Sequence, residues 1–224
     1  MGNTIDGPAK VICLNDTEWN KAKQRLSAFK NLERFNGING YTMKPQEVRK
    51  ILTQKAYNGV YYQSHRSSDY DLGSLGAVGC YLSHLKLWQE IVDKNLPGMY
   101  IFESDVICTG FPSEEELQEF RSQPNPHFLA FGTYYSAGHA QKGLKHINKL
   151  GRFMGMHAYY ITNEGARKLI KDAYPIEQQI DAYISDKNLA GEYNAFVTKR
   201  MQCMQDGSPT TIQTKKVLPT QVPR

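Results

Sequence analysis

The chain has 224 residues, 40% of them hydrophobic and 22% charged, a composition that excludes a disordered or fibrous protein and allows one sizeable domain. No apolar stretch reaches the length of a membrane-spanning helix. The formal net charge of +5 suits an anionic ligand or a membrane surface, but the basic residues are scattered, with no dense run beyond Lys215-Lys216, so nucleic acid is not the expected partner.

The opening residues lack a basic-then-apolar signal pattern, which predicts a cytosolic location, peripheral to a membrane at most. Myristoylation at Gly2 would want Ser or Thr at position 6, where Asp6 stands. Cys13, Cys80, Cys108 and Cys203 form no CxxC pair, so the spacing supports neither zinc nor redox chemistry, and buried free thiols are expected.

In chain order, "AKVICL" (9–14) reads as a strand. Trp19, Ala22, Leu26 and Phe29 then recur at helical spacing, predicting a helix over about 16–32. "RFNGINGY" (34–41) reads as a short strand ending in the turn dipeptide Asn39-Gly40. Pro45 opens a second helix with Val48, Leu52 and Ala56 on one face. Residues 58–76 are Tyr-, Ser- and Gly-rich without periodicity and are expected to be a loop.

Val78, Leu82, Leu85, Trp88 and Val92 lie on one helical stripe, and Pro97-Gly98 turns the chain into a strand over 99–103. Ser113 and Glu116 make a capping-box pattern for the next helix. "HFLAFG" (127–132) and "MHAYYIT" (156–162) read as strands around an irregular 133–152. Asn163 is read as the cap of a further helix, and Ile176, Ile180, Tyr183 and Ile184 suggest one more. The pattern predicts an α/β domain over residues 1–204, and a C-terminal tail over 205–224 that is extended or only locally ordered.

The run "MYIFESDV" (99–106) carries Glu103 and Asp105 where the chain leaves the sheet, the place where ligands collect in such folds. In a strand these two would point the same way and Ser104 elsewhere. Two carboxylates on one side repel unless a cation or a shared proton intervenes. A hard divalent cation, Mg²⁺ or Mn²⁺, combines carboxylates with substrate phosphates. The alternative is that both acids cap a following turn or face solvent.

Read as one unit, "LGAVGCYLSHLKLWQEIVDKNLPGMYIFESDV" (75–106) resembles glycosyltransferase family 25, which includes lipopolysaccharide glycosyltransferases and collagen galactosyltransferases. The likeness runs through Gly76, Gly79, Cys80, Ser83, His84, Trp88, Glu103, Asp105 and Val106, with Ser104 replacing the family's middle acid. "GMHAYYITNEGARKLI" (155–170) is similar to a second family segment. At the end of the chain Gln205 and Ser208 are followed by Thr210-Thr211-Ile212 in place of the family's Ser-Asp-Ile.

The resemblance implies a single GT-A-type domain, a mixed sheet flanked by helices, that transfers a hexose from a UDP-sugar to a glycan or glycosylated acceptor, with inversion. It implies Glu103 and Asp105 on the metal, Glu103 also on the nucleotide, and Asp181 as general base, with Asp186 a rival. Ser83 and His84 are candidates for the donor, although a histidine on such a helix also serves as a packing residue. His157 is read as either donor contact or core. Asn15 and Arg25, near the end of the first strand, are candidates for nucleotide or phosphate. Trp88 is expected in the core. Tyrosines in 57–65 and 132–139 are candidates for stacking on sugar or base, and His65, His127, His139 and His146 are expected to face solvent. Two other classes stay open: a catalytically degenerate sugar- or nucleotide-binding module, because Ser104 breaks the acidic triplet, and a basic nucleic-acid-associated protein.

Overall fold

The computed structural model describes residues 5–62, 68–136 and 143–208. Expectations for His65, His139 and the tail beyond Ser208 lie outside the described residues. In chain order the first half holds β1 (Ala9–Cys13), α1 (Asp16–Arg25), β2 (Leu32–Asn36), α2 (Pro45–Ile51), α3 (Gln54–Tyr61), α4 (Leu75–Asp93) and β3 (Gly98–Glu103). The second holds β4 (Val106–Cys108), α5 (Glu114–Arg121), β5 (Phe128–Gly132), β6 (Tyr135–Ser136), β7 (Ile147–Lys149), β8 (Phe153–Met154), β9 (Ala158–Thr162), α6 (Asn163–Lys171), α7 (Ile180–Leu189), β10 (Ala195–Thr198) and β11 (Cys203–Gln205).

Seven strands form one mixed sheet in the order β2-β1-β3-β9-β5-β10-β7. Strands β2, β1 and β3 are parallel, β9 runs against both β3 and β5, and β10 is parallel to β5. Alternation along β3 divides the core between the two faces. Met99 and Ile101 join α2, α3, α4, α6 and α7, whereas Tyr100 and Phe102 join α1, β4 and β11. The architecture is therefore α/β with a mixed sheet flanked by helices, as the alternation of elements predicts.

Several boundaries differ from expectation for identifiable reasons. Helix α1 ends at Arg25, because the next residues bond elsewhere: Ile5 donates its N–H to Ala28 O, and Lys30 donates to Ile5 O. The helix expected from Pro45 through Ala56 is two helices. Leu52 is extended and Thr53 caps α3 through Ala56 N–H, while Ile176 exchanges main-chain bonds with Ile51 and Thr53. Residues 58–61, expected in a loop, are the end of α3. The capping box at Ser113 and Glu116 is present.

Thr162, not Asn163, caps α6; the Asn163 amide instead donates to Ile91 O and Leu96 O and ties α6 to the end of α4. Residues 133–152 contain β7, which closes the sheet against β10. The sequence pattern predicts no strand at β4, β6, β7, β8, β10 or β11. The expected domain end at 204 falls inside β11, where Gln205 pairs with Val106.

Cys13 and Cys80 are free, as expected. Cys108 and Cys203 are not: they form a disulfide that fastens β4 to β11 across 95 residues of chain. Such bonds persist in oxidising compartments, which weighs against the cytosolic expectation. Among the described residues no helix is long and apolar enough to cross a membrane. His127 is buried rather than exposed: it stacks on Tyr193 and accepts the Asn194 N–H at Nδ1.

Candidate active site

Strand β3 ends at Glu103, and its antiparallel neighbour β9 begins at Ala158, so the carboxyl end of one strand meets the amino end of the other. Glu103 N–H donates to His157 O at 3.0 Å. This register sets His157 beside Glu103, with Nδ1 at 3.1 Å from Glu103 Oε2. Ser104 and Asp105 are a turn rather than strand. The turn still returns Asp105 to the same place: ligand atoms of Glu103, Asp105 and His157 lie within 4.8 Å of one another. Ser104 points away, its hydroxyl donating to Glu18 Oε2 on α1 at 3.1 Å.

Helix α4 supplies the inner wall. Cys80, His84 and Trp88 recur at i, i+4 and i+8 and so share a stripe. Cys80 Sγ is 3.7 Å from Glu103 Oε1, and His84 Nε2 is 3.5 Å from the same oxygen, a long contact rather than a full hydrogen bond. Residues 79 and 83 fall on a neighbouring stripe with a different task. Gly79 lets residues 38–40 approach so closely that a Cβ there would sit 2.3 Å from Ile38 O. Ser83 Oγ accepts the Ile38 N–H and donates to Gly79 O. Ser83 thus seats the segment after β2 and does not face the acids. His84 and Trp88 are fully buried, and Trp88 is core as expected.

The electrostatics are lopsided. Burial alone would push Glu103 up, but His157 and His84 beside it hold its carboxyl well below the usual carboxylate range. Burial and the Glu103 charge push Asp105 up, to about 6. Asp105 Oδ1 and His157 Nε2 are buried with no hydrogen-bond partner. A pair of carboxylates with an orphaned oxygen and an imidazole at this spacing fits a divalent cation.

A cavity opens here, lined among others by Cys80, Glu103, Tyr134, His157, Asp181 and Gln205. Gly155 also lines it at φ +76°; a Cβ there would meet the His157 ring at 2.6 Å, so this position needs glycine twice over. Asp181, in the first turn of α7, accepts N–H bonds from Gly155 and Ala182, each 2.8 Å, and burial pushes its carboxyl up despite them. Its rival Asp186 is on the surface, paired with Arg152 at 2.7 Å, and is not among the lining residues. Tyr134 is 57% exposed, meets His157 edge-on and bonds Gln205.

The remaining candidates lie elsewhere. Asn15 is the exposed cap of α1, joined to Glu18 through both side-chain amide atoms. Arg25 pairs with Asp206 at 2.8 Å and reaches Val106 O. Asp206, missed in the sequence, donates its N–H to Asp105 O at 2.8 Å and adds a third negative charge near Asp105. The stretch "QDGS" (205–208) held the signal, an acid beside the family's Gln, displaced from where the motif places one.

The family described as glycosyltransferase family 25 (LPS biosynthesis protein) matches residues 61–184. The chain is 29% identical over 106 residues to the lipooligosaccharide biosynthesis protein lic2B of Haemophilus influenzae, covering 42% of this chain and 40% of that protein. It is 30% identical over 102 residues to the probable inactive glycosyltransferase 25 family member 3 of Bos taurus, covering 42% and 17%. It therefore spans less than half the length of these relatives. Among solved structures, A197 from STIV aligns over 95% of this chain and 96% of its own with a TM-score of 0.48 and 7% identity, too little to add to the assignment. The family match takes in α4, the acidic turn, the β9 strand and Asp181 together, and on that span the chain belongs to glycosyltransferase family 25.

Proposed function

We propose that the chain is a metal-dependent glycosyltransferase of GT-A type, moving a hexose from a UDP-sugar to a hydroxyl of a glycan or glycosylated acceptor with inversion. One observation carries the reading: Asp105 Oδ1, buried and without a partner, beside an ionised Glu103. Glu103, Asp105 and His157 would hold Mn²⁺ or Mg²⁺. The cation, when bound, supplies positive charge against the diphosphate leaving group.

The chain's own residues do the rest. Glu103 stays ionised because His157 and His84 face it. Asp181, in the cavity wall with its carboxyl raised by burial, is the base proposed to take the acceptor hydroxyl proton. Tyr134 offers an exposed ring at the same cavity for stacking on sugar or base. Where the acceptor is lipid-borne, the proposed contact with a membrane is peripheral.

A second reading, a sugar- or nucleotide-binding module without turnover, is favoured by Ser104 in place of the family's middle acid. One relative is itself named probable inactive. A screen of UDP-sugars with and without Mn²⁺ separates the two. UDP release stimulated by Mn²⁺ is the expected result; UDP-sugar binding without release would establish the module instead.

A further inference from the structure

Behind Glu103 runs a chain of buried polar groups that the proposed reaction does not use directly. Trp88 Nε1 lies 3.1 Å from Tyr159 Oη, and Tyr159 Oη lies 2.7 Å from His84 Nδ1. Tyr159 is fully buried, stacked on Phe128, and has no other hydrogen-bond partner among the described residues. An indole N–H can only donate, so Tyr159 Oη accepts from Trp88. The phenol proton then has one acceptor within reach, His84 Nδ1. Were Nδ1 protonated instead, two donors would converge on Tyr159 Oη and the phenol proton would be buried with nothing to bond. The direction of the chain is thereby set: Trp88 to Tyr159 to His84.

A neutral histidine whose Nδ1 accepts carries its proton on Nε2. That N–H faces Glu103 Oε1, while His157 stands at Oε2. We propose that Trp88 and Tyr159 are positioning residues for Glu103: they lock His84 as the Nε2–H tautomer and so aim a donor at Oε1. The carboxylate is thereby faced on both oxygens, by His157 Nδ1 at 3.1 Å from the turn before β9 and by the His84 N–H from α4, which has no other partner among the described residues and approaches at a longer 3.5 Å. The same proton removes His84 Nε2 from the trio Cys80, His84 and Glu103, whose ligand atoms also lie within 4.8 Å of one another. That trio would otherwise suit Zn²⁺, so the relay leaves the Glu103, Asp105 and His157 set as the cation site.

This inference rests on the proposed cation site, and two measurements judge the two claims apart. Side-chain ¹⁵N NMR of the full chain should show His84 as Nε2–H with an unprotonated Nδ1, unchanged by one equivalent of Zn²⁺. A His84 found as Nδ1–H or as imidazolium, or an Nε2–H signal erased by Zn²⁺, overturns the relay whatever the variants do. In Tyr159→Phe the His84 signals should become those of a tautomer mixture, and calorimetric Mn²⁺ affinity should fall about three- to tenfold, below or at the low edge of outer-shell losses at metal sites. Unchanged affinity with an intact circular dichroism spectrum would overturn the positioning role. Wild-type protein that binds no Mn²⁺ would overturn both that role and the proposed function, while the tautomer still decides the relay.

Discussion

Glu103 and Asp105 leave the sheet two residues apart and meet opposite walls. On the α4 and β9 side, Glu103 is faced by side-chain donors, with His157 Nδ1 at 3.1 Å, His84 Nε2 at 3.5 Å and the Cys80 thiol at 3.7 Å. On the α1, β4 and β11 side, Asp105 is held through its main chain, by Asp206 N–H, with the Arg25–Asp206 pair and the Cys108–Cys203 disulfide behind. The first wall stabilises a negative charge already present. The second fixes a position and leaves Asp105 Oδ1 without a hydrogen-bond partner. The pair is thus asymmetric: Glu103 needs no cation to be ionised at neutral pH, and Asp105 gains most from one.

The comparison breaks most visibly at Asp105. Asp105→Asn should weaken Mn²⁺ binding and lower metal-stimulated UDP release by about 100-fold or more, the scale on which one preorganised electrostatic group acts. Its melting temperature at neutral pH should hold or rise, because the negative charge that burial and Glu103 disfavour at this position is removed. Asp181→Asn should instead keep Mn²⁺ affinity and lose turnover. An Asp105→Asn protein that binds Mn²⁺ like wild type would place the cation elsewhere.

A milder perturbation is pH. The Asp105 carboxyl is raised from 3.8 to about 6 in the fold, so its ionisation costs native stability. That cost is absent below about 3.8 and complete above about 6, and a cation offsets it. Glu103 runs the opposite way: its lowered carboxyl adds stability above the ordinary 4.5, lost as pH falls beneath it. Within the Asp105 window the proton on Asp105 competes with metal, so Mn²⁺ should bind about tenfold more weakly near pH 5 than near pH 7.5. Calorimetry across that range checks the sign. Flat affinity would show that Asp105 does not exchange its proton for the cation.

What was legible in the sequence follows the range of the interactions. The α4 stripe, the capping box at Ser113 and the buried run of β3 are local patterns, and each is legible in sequence with its register nearly right. Ser104 also points away from its acidic neighbours as the alternation implies, though for another reason, since residues 104 and 105 form a turn. The short strands β4 and β11 owe their pairing to each other and to the Cys108–Cys203 bond across 95 residues, which no window along the chain can contain. The same distance hid the roles of Ser83, which lies inside the motif but accepts the Ile38 N–H, and of Arg25, which pairs with Asp206. Asn15 is the exception: its bonds to Glu18 are local, and they mark it as a helix cap.

Arg25 offers the finest test of the second wall. If the Arg25–Asp206 pair merely steadies β11 against the acidic turn, Arg25→Met should cost about two- to fivefold in Mn²⁺ affinity, in keeping with roughly 1 kcal/mol for a part-exposed ion pair. The main-chain bond from Asp206 N–H to Asp105 O survives the substitution, which is why the loss stays small. Asp206→Asn should cost a similar amount, and the double variant little more than either single one, because both remove the same contact. A loss at Arg25 alone approaching that of Asp105→Asn, with Asp206→Asn near wild type, would mean that the guanidinium leaves Asp206 to grip the donor's phosphates. The outer wall would then be part of the donor site rather than its support.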